Sequence, residues 1–176
     1  MGGVSVSVAS ANMNGPSQTN CGTNYWTQPN SADLAYTGGS VSNAPTPCEQ
    51  IGLNSATSVT VTFGSAIDNL YMALLSVGNP NLPVTYDFDH AFVIDSEGAG
   101  FWGNDITNGV IGAGDTLTGK EFHGLLRFTS PVTSLTFSTT AENWHAFTFG
   151  TIPEPGTLAL LGLGLAGLAA SRRRKQ

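Results

Sequence analysis

The sequence predicts an all-β protein: an antiparallel β-sandwich or jelly-roll-like body with a single C-terminal transmembrane helix. Charged residues make up only 10% of the 176 residues, against about 25% in an average soluble protein. Short segments that alternate apolar and polar residues recur along the chain, separated by Gly, Asn and Pro. The longest apolar run without a charge lies near the C-terminus. We therefore divide the chain into a β body, residues 1–151, and a tail, residues 152–176.

The first candidate strand lies at the N-terminus, where Val4, Val6 and Val8 alternate with serines. This period of two is typical of a strand with one buried face. The alternative is that residues 2–11 are the clipped end of a signal peptide, because Ala9-Ser10-Ala11 fits a small-x-small cleavage site. No complete signal peptide is visible. We expect the true N-terminus to lie upstream of Met1.

The later strands are predicted by similar patterns. Val59, Val61 and Phe63 alternate within residues 58–63, whereas residues 69–76 are mainly apolar, as expected of a central strand buried on both faces. The turn residues of 79–83 end that segment. Further strands are predicted at residues 84–88, 91–94, 100–103, 124–128, 134–138 and 144–149.

The basic residues are unevenly distributed. Residues 1–151 contain two, Lys120 and Arg127, against eleven acidic residues, which gives the body a net charge of −9. Such a body repels phosphate backbones and anionic lipid surfaces, so we expect no nucleic-acid partner. The remaining four form one cluster near the C-terminus: Arg172, Arg173, Arg174 and Lys175.

The two cysteines, Cys21 and Cys48, are the only ones in the chain. An even pair in a chain rich in Ser, Thr and Asn suggests one disulfide and an oxidising, extracytoplasmic compartment. Closing this loop would contribute about 3–4 kcal/mol in the chain-entropy model. The alternative is two reduced, buried thiols. Neither cysteine has a second Cys or a His at the spacing of a metal site.

The tail begins with a rigid, proline-containing hinge at residues 152–155 and continues with a predicted transmembrane helix at residues 156–171. The helix is followed at once by the basic cluster, which indicates a cytoplasmic stop. Sixteen helical residues span about 24 Å against a bilayer core of about 30 Å. Snorkelling arginines and local thinning absorb this deficit, so membrane lipid is a predicted partner.

The order of these tail features resembles a PEP-CTERM sorting signal over residues 152–175. The motif is Pro153-Glu154-Pro155, followed by a Gly/Leu/Ala-rich segment and the terminal basic cluster. The resemblance implies a Gram-negative exosortase, a multipass membrane cysteine peptidase or transpeptidase, as partner. Pro153, Glu154 and Pro155 would be its recognition motif. The resemblance also implies an exported protein that is anchored in the inner membrane and, after cleavage, reaches the cell surface or the medium, often in connection with exopolysaccharide or biofilm.

Two pairs of side chains in the body are candidates for a metal site. Asp87 and Asp89 share one face of a strand and could bind Ca²⁺ with Asp95 or Glu97 from the next strand. The alternative is that they form the solvated face of that strand. Glu121 and His123 also share a face if their segment is extended. The alternative there is a solvated Glu beside a hydrogen-bonded His.

The tryptophans are candidates for glycan contact, because flat aromatic rings suit the apolar faces of sugars. Trp102, between two glycines, is the preferred candidate, with Trp26 and Trp144 as partners in a stacking platform. The alternative is that all three are core or rim aromatics. No Gly-x-Ser-x-Gly elbow or paired-His zinc motif occurs. We therefore expect no enzyme and no cofactor. The expected role is structural, at the envelope or in secreted matrix, with an exopolysaccharide-binding module as the alternative and an extracellular hydrolase as a third hypothesis.

Overall fold

The computed structural model describes residues 4–10, 13–27, 35–39, 41–102, 110–111 and 113–151. These residues form eleven β-strands and no helix. The prediction of an all-β body is therefore confirmed for the described part of the chain. No helix long and apolar enough to cross a bilayer occurs among these residues. The predicted transmembrane helix at 156–171 lies outside them.

The strands, numbered in chain order, form two sheets in which every pairing is antiparallel. The six-stranded sheet has the order β1 (Val6–Ser10), β3 (Thr57–Ile67), β10 (Val132–Thr139), β5 (Val84–Phe88), β8 (Thr116–Gly119) and β7 (Val110–Ile111). The five-stranded sheet has the order β2 (Ile51–Leu53), β11 (His145–Thr151), β4 (Leu70–Val77), β9 (Phe122–Phe128) and β6 (Phe92–Glu97).

The main core lies between the two sheets. Val59 and Phe137 of the six-stranded sheet and Leu74, Leu126 and Phe147 of the five-stranded sheet belong to one buried cluster. On each strand, every second side chain points into the space between the two sheets. The alternation of apolar and polar residues in the sequence therefore corresponds to this core. Aromatic rings contribute much of it, with Phe137 and Phe147 in edge-to-face contact across the two sheets at 5.4 Å.

A second, smaller core covers the outer face of the five-stranded sheet. Ala73 and Leu75 of β4 point away from the main core and pack with Trp26 and Tyr36 of the segment that precedes β2. This explains why all eight residues of β4 are buried, as the sequence predicted for a central strand covered on both faces. We call residues 13–50 the disulfide segment, because Cys21 and Cys48 within it form a disulfide, which confirms that prediction.

The predicted strands agree with the structure with one exception. The alternation at Val4, Val6 and Val8 does mark a strand, since β1 pairs with β3 from Val6 to Ser10. The strand predicted at 100–103 is wrong for its described residues 100–102, which form a bend. The strand β6 already ends at Glu97, and Gly100 passes directly over the His123 ring, where there is no room for a side chain. Three strands were not predicted: β2, β7 and β8.

Candidate functional site: an aromatic cleft on the disulfide segment

A cleft of about 470 Å³ opens between the disulfide segment and two loops of the five-stranded sheet. One loop follows β6 and carries Trp102; the other precedes β11 and carries Asn143 and Trp144. The lining combines aromatic rings with side-chain amides: Pro16, Ser17, Gln18, Asn20, Tyr25, Gln50, Trp102, Asn143 and Trp144. A volume of this size suits a small ligand or a short stretch of a polymer.

Three aromatic rings form one wall of the cleft. Tyr25 and Trp102 are stacked, with ring centroids 4.9 Å apart and an interplanar angle of 21°. Trp144 meets Trp102 edge to face at 5.4 Å, and Phe101 supports both Tyr25 and Trp102 from centroids 5.0 Å away. Trp102 remains 50% exposed, so this ring is fixed by its neighbours while it still presents a large area to solvent.

Hydrogen bonds of Gln18 hold the disulfide segment together, and a bond from Trp144 joins it to the loop before β11. The side-chain Nε2 of Gln18 donates to the carbonyl of Thr23 at 2.8 Å and also to the carbonyl of Pro47, two residues that flank the disulfide. The backbones of Gln18 and Gln50 exchange hydrogen bonds of 2.9 and 3.2 Å. The indole N–H of Trp144 donates to the carbonyl of Pro16 at 3.0 Å. The cleft wall therefore depends on the closed disulfide loop.

The arrangement suits a ligand with flat apolar faces and a hydroxylated rim. An aromatic ring carries negative charge on its face, which attracts polarised C–H groups. A side-chain amide offers both donors and an acceptor, as hydroxyl groups require. Gln50 is 1% exposed, and its Nε2 has no hydrogen-bond partner among the described residues. A sugar ring meets both requirements of this cleft.

The three tryptophans of the predicted platform have different places. Trp102 and Trp144 lie together in the cleft. Trp26 does not: this residue of the disulfide segment is fully buried against the five-stranded sheet, edge to face with Tyr36 at 5.1 Å. Its hydrophobic area completes the second core, so the prediction for Trp26 is wrong. The third ring of the platform is Tyr25, which the sequence analysis missed although it lies next to Trp26.

Glu121 and His123 are neighbours, as predicted, but they belong to a hydrogen-bond network with Ser76 and Tyr36. His123 is fully buried, and its Nδ1 accepts the backbone N–H of Ser76 at 3.2 Å and faces the hydroxyl of Tyr36 at 3.0 Å. The ring proton is therefore on Nε2, which donates to Glu121 Oε1 at 3.0 Å. Ser76 Oγ donates to the same oxygen at 2.6 Å. The Ser76 hydroxyl binds the carboxylate and not the His123 ring, unlike a nucleophile and its base.

The network also changes the acidity of Glu121. Burial alone would raise the pKa of this carboxyl group, but the hydrogen bonds from His123 and Ser76 outweigh burial and lower the pKa below its ordinary value of 4.5. The described residues contain no group of three or more His, Cys, Asp or Glu that could hold a metal ion. Glu121 binds both His123 and Ser76 through its Oε1 atom.

Asp87 and Asp89 do not meet the carboxylates that were expected to complete a calcium site. They lie at the end of β5 in the six-stranded sheet, whereas Asp95 and Glu97 lie on β6 in the other sheet. Asp89 Oδ1 accepts the backbone N–H of Thr136 at 3.0 Å and contacts His90 Nδ1 at 2.6 Å. The prediction that Asp95 or Glu97 would complete the calcium site is wrong, because the consecutive strands β5 and β6 belong to different sheets.

A second buried polar cluster escaped the sequence analysis. Glu142 Oε1 accepts the backbone N–H of Gly78 at 2.9 Å and faces His145 Nδ1 at 3.0 Å. The Tyr86 ring lies 5.5 Å from the His145 ring, and burial followed by the charge of Glu142 raises the pKa of Tyr86 well above its ordinary value. Glu142 and His145 are three positions apart, but Gly78 lies 64 positions from Glu142, so no local pattern predicts the cluster. They join the start of β11 to the end of β4.

The predicted tail features, Pro153 to Pro155 and Arg172 to Lys175, lie outside the described residues. Comparison with known proteins bears directly on them: the family model of the PEP-CTERM protein-sorting motif matches residues 151–175. No significant match exists among curated proteins or among solved structures. The chain carries a PEP-CTERM protein-sorting motif, the signal of an exported protein that an exosortase sorts.

Proposed function

We propose that this protein is a non-catalytic component of the cell envelope or secreted matrix of a Gram-negative bacterium, released from an inner-membrane anchor by an exosortase. The observation that carries the proposal is the sorting motif at 151–175 directly after β11. The polar clusters of the body support a structural role. Glu121 and Glu142 each bind one close neighbour in sequence, His123 or His145, and one residue 45 or 64 positions away. Neither carboxylate lines the cleft.

The proposal is tested by intact-mass measurement of the protein from strains with and without the exosortase. We expect a shortened chain, cut near Pro153, in the first strain, and a full-length, membrane-bound chain ending at Gln176 in the second. Replacing Pro153, Glu154 and Pro155 together by alanine should give the full-length mass in both strains. A full-length mass for the unaltered protein in both strains would contradict exosortase processing.

A second candidate function is glycan binding, and the aromatic cleft favours it. The supporting geometry is the half-exposed Trp102 stacked on Tyr25, with amide side chains around both rings. In a glycan array, Trp102→Ala should abolish binding. Leu82→Ala, at a site that is 46% exposed and does not line the cleft, is the matched control and should bind as the unaltered protein does. Equal binding by the Trp102→Ala protein would contradict a role for this cleft.

The same samples test the hydrolase hypothesis. A hydrolase would release new sugar ends from a bound polymer, and exchange of one carboxylate for its amide would stop the release. A non-catalytic protein leaves the polymer intact at all concentrations. Release of sugar ends that depends on Glu121, Glu142 or another single carboxylate would overturn the non-catalytic proposal.

A further inference from the structure

We infer that the cleft selects an uncharged polysaccharide and rejects an acidic one; this inference rests on the proposed glycan binding. The first observation is the chemistry of the lining. Every lining side chain is aromatic, hydroxyl, amide or proline. Aromatic faces and amides can satisfy the C–H faces and hydroxyl groups of a sugar, but none of these groups offsets a full negative charge.

The second observation concerns the two basic residues of the body. Neither Lys120 nor Arg127 lines the cleft. Arg127 lies on β9, where its Nε is 3.5 Å from Asp95 Oδ1, and Lys120 lies in the turn between β8 and β9. Because residues 1–151 contain no other Lys or Arg, no side chain of the body can bring an ammonium or guanidinium group to an acidic sugar in the cleft.

The third observation is the net charge of −9 on residues 1–151. A uronate or sulfate group that enters the cleft loses part of its hydration without gaining a cation, which is unfavourable. At a distance it is also repelled by the body, within a Debye length of about 8 Å at physiological ionic strength. Both effects act against acidic polymers and leave neutral ones untouched. The cleft therefore discriminates by charge before it discriminates by sugar shape.

The test uses pairs of polymers that differ only in charge. Polygalacturonate, polymannuronate and hyaluronan are each compared with their carboxyl-reduced forms, which have the same backbone linkages without the carboxylates. Titration of the full-length chain should show at least one reduced polymer that binds about tenfold or more tightly than its acidic parent. Equal or tighter binding of the acidic members would overturn the inference while leaving glycan binding intact. Absence of binding to every member would contradict the proposed glycan binding itself.

A second test introduces a positive charge into the cleft. Asn143 is exposed and lines the cleft, so Asn143→Lys should raise the affinity for the acidic polymers several-fold and make it sensitive to salt. Thr133→Lys adds the same charge at an exposed position on β10, in the other sheet, and should leave the preference for reduced polymers unchanged. The same shift in both variants would show that net charge alone, not the cleft, sets the preference.

Discussion

Glu121 Oε1 accepts the Nε2–H of His123 at 3.0 Å from a backbone position with φ of 75°. Such a left-handed conformation is unfavourable for a residue with a side chain and persists only where surrounding contacts enforce it. Ser76, the other donor to this oxygen, also has a positive φ, of 54°. The positive φ values on β4 and in the turn before β9 therefore accompany the meeting of these three side chains.

The lowered pKa of Glu121 predicts a loss of stability in acid. The folded pKa lies below the ordinary value of 4.5, so the contribution of the carboxylate is complete above about pH 4.5 and disappears as the pH falls through the folded pKa. Glu121→Gln keeps the side-chain length and the backbone strain but removes the charge. It should cost about 1–2 kcal/mol of unfolding free energy at pH 7 and progressively less below pH 4.5.

The measurement is urea denaturation of both proteins from pH 3 to pH 7, and the quantity of interest is the difference between them. Glu97→Gln, at an exposed position at the end of β6, serves as control and should show a much smaller difference. A difference between the unaltered and Glu121→Gln proteins that stays constant across this range would show that the charge of Glu121 contributes nothing to the network.

The close packing of Gly100 on the buried His123 ring connects the core to the loop that carries Trp102. A Cβ at this position would lie 2.1 Å from His123 Nδ1, and the ring cannot move away because it is fixed by Ser76 and Glu121. Gly100→Ala should therefore lower the unfolding free energy by about 1–3 kcal/mol. It should also weaken glycan binding, since the displaced segment carries Trp102. Thermal unfolding and the glycan titration measure the two effects.

Gly150→Ala is the matched control, because a Cβ on Gly150 would meet nothing within 4 Å. This variant should retain both stability and binding. If Gly100→Ala is as stable as the control, the packing of the bend on His123 is not as tight as these contacts require. If it is destabilised but binds normally, the position of Trp102 does not depend on this bend.

We expect the cleft to depend on the disulfide between Cys21 and Cys48. Replacing Cys21 and Cys48 together by serine should cost about 3–4 kcal/mol of stability in the chain-entropy model. It should weaken glycan binding more than it alters the β-sheet signal in circular dichroism. Gln18 and Tyr25 of the cleft belong to the disulfide segment, whereas all eleven strands of the described residues lie outside residues 13–50. Unchanged binding by the double variant would show that the cleft keeps its shape without the disulfide.

The strands of the body were largely predictable, because alternation at Val59, Val61 and Phe63 reports directly on a half-buried sheet. The apolar run at 69–76 was equally informative, although the sequence could not show what would cover its outer side. Short strands such as β2 and β8 escaped prediction because three or four residues are too few to establish a period. Sheet membership was not predictable either, and this is why Asp95 was wrongly expected beside Asp87.

The candidate site was predicted only in part. Trp102 and Trp144 were identified by residue type, but Trp26 was placed with them because nothing local distinguishes a ring in a cleft from a ring in a core. The partner of Trp102 proved to be Tyr25, 77 positions away. The meeting of Ser76 with Glu121 likewise spans 45 residues. Such contacts are set by the pairing of strands, which single-sequence patterns do not encode.

The position of β11 has a consequence for the access of the sorting enzyme. This strand lies between β2 and β4 and continues to Thr151, where the match to the sorting motif begins. Only Ile152 separates it from Pro153, so the tether from the end of the strand to the proline is about 7 Å at full extension. An exosortase that acts on this signal therefore works within about 7 Å of the folded sandwich. A longer tether between Thr151 and Pro153 would give the enzyme more room.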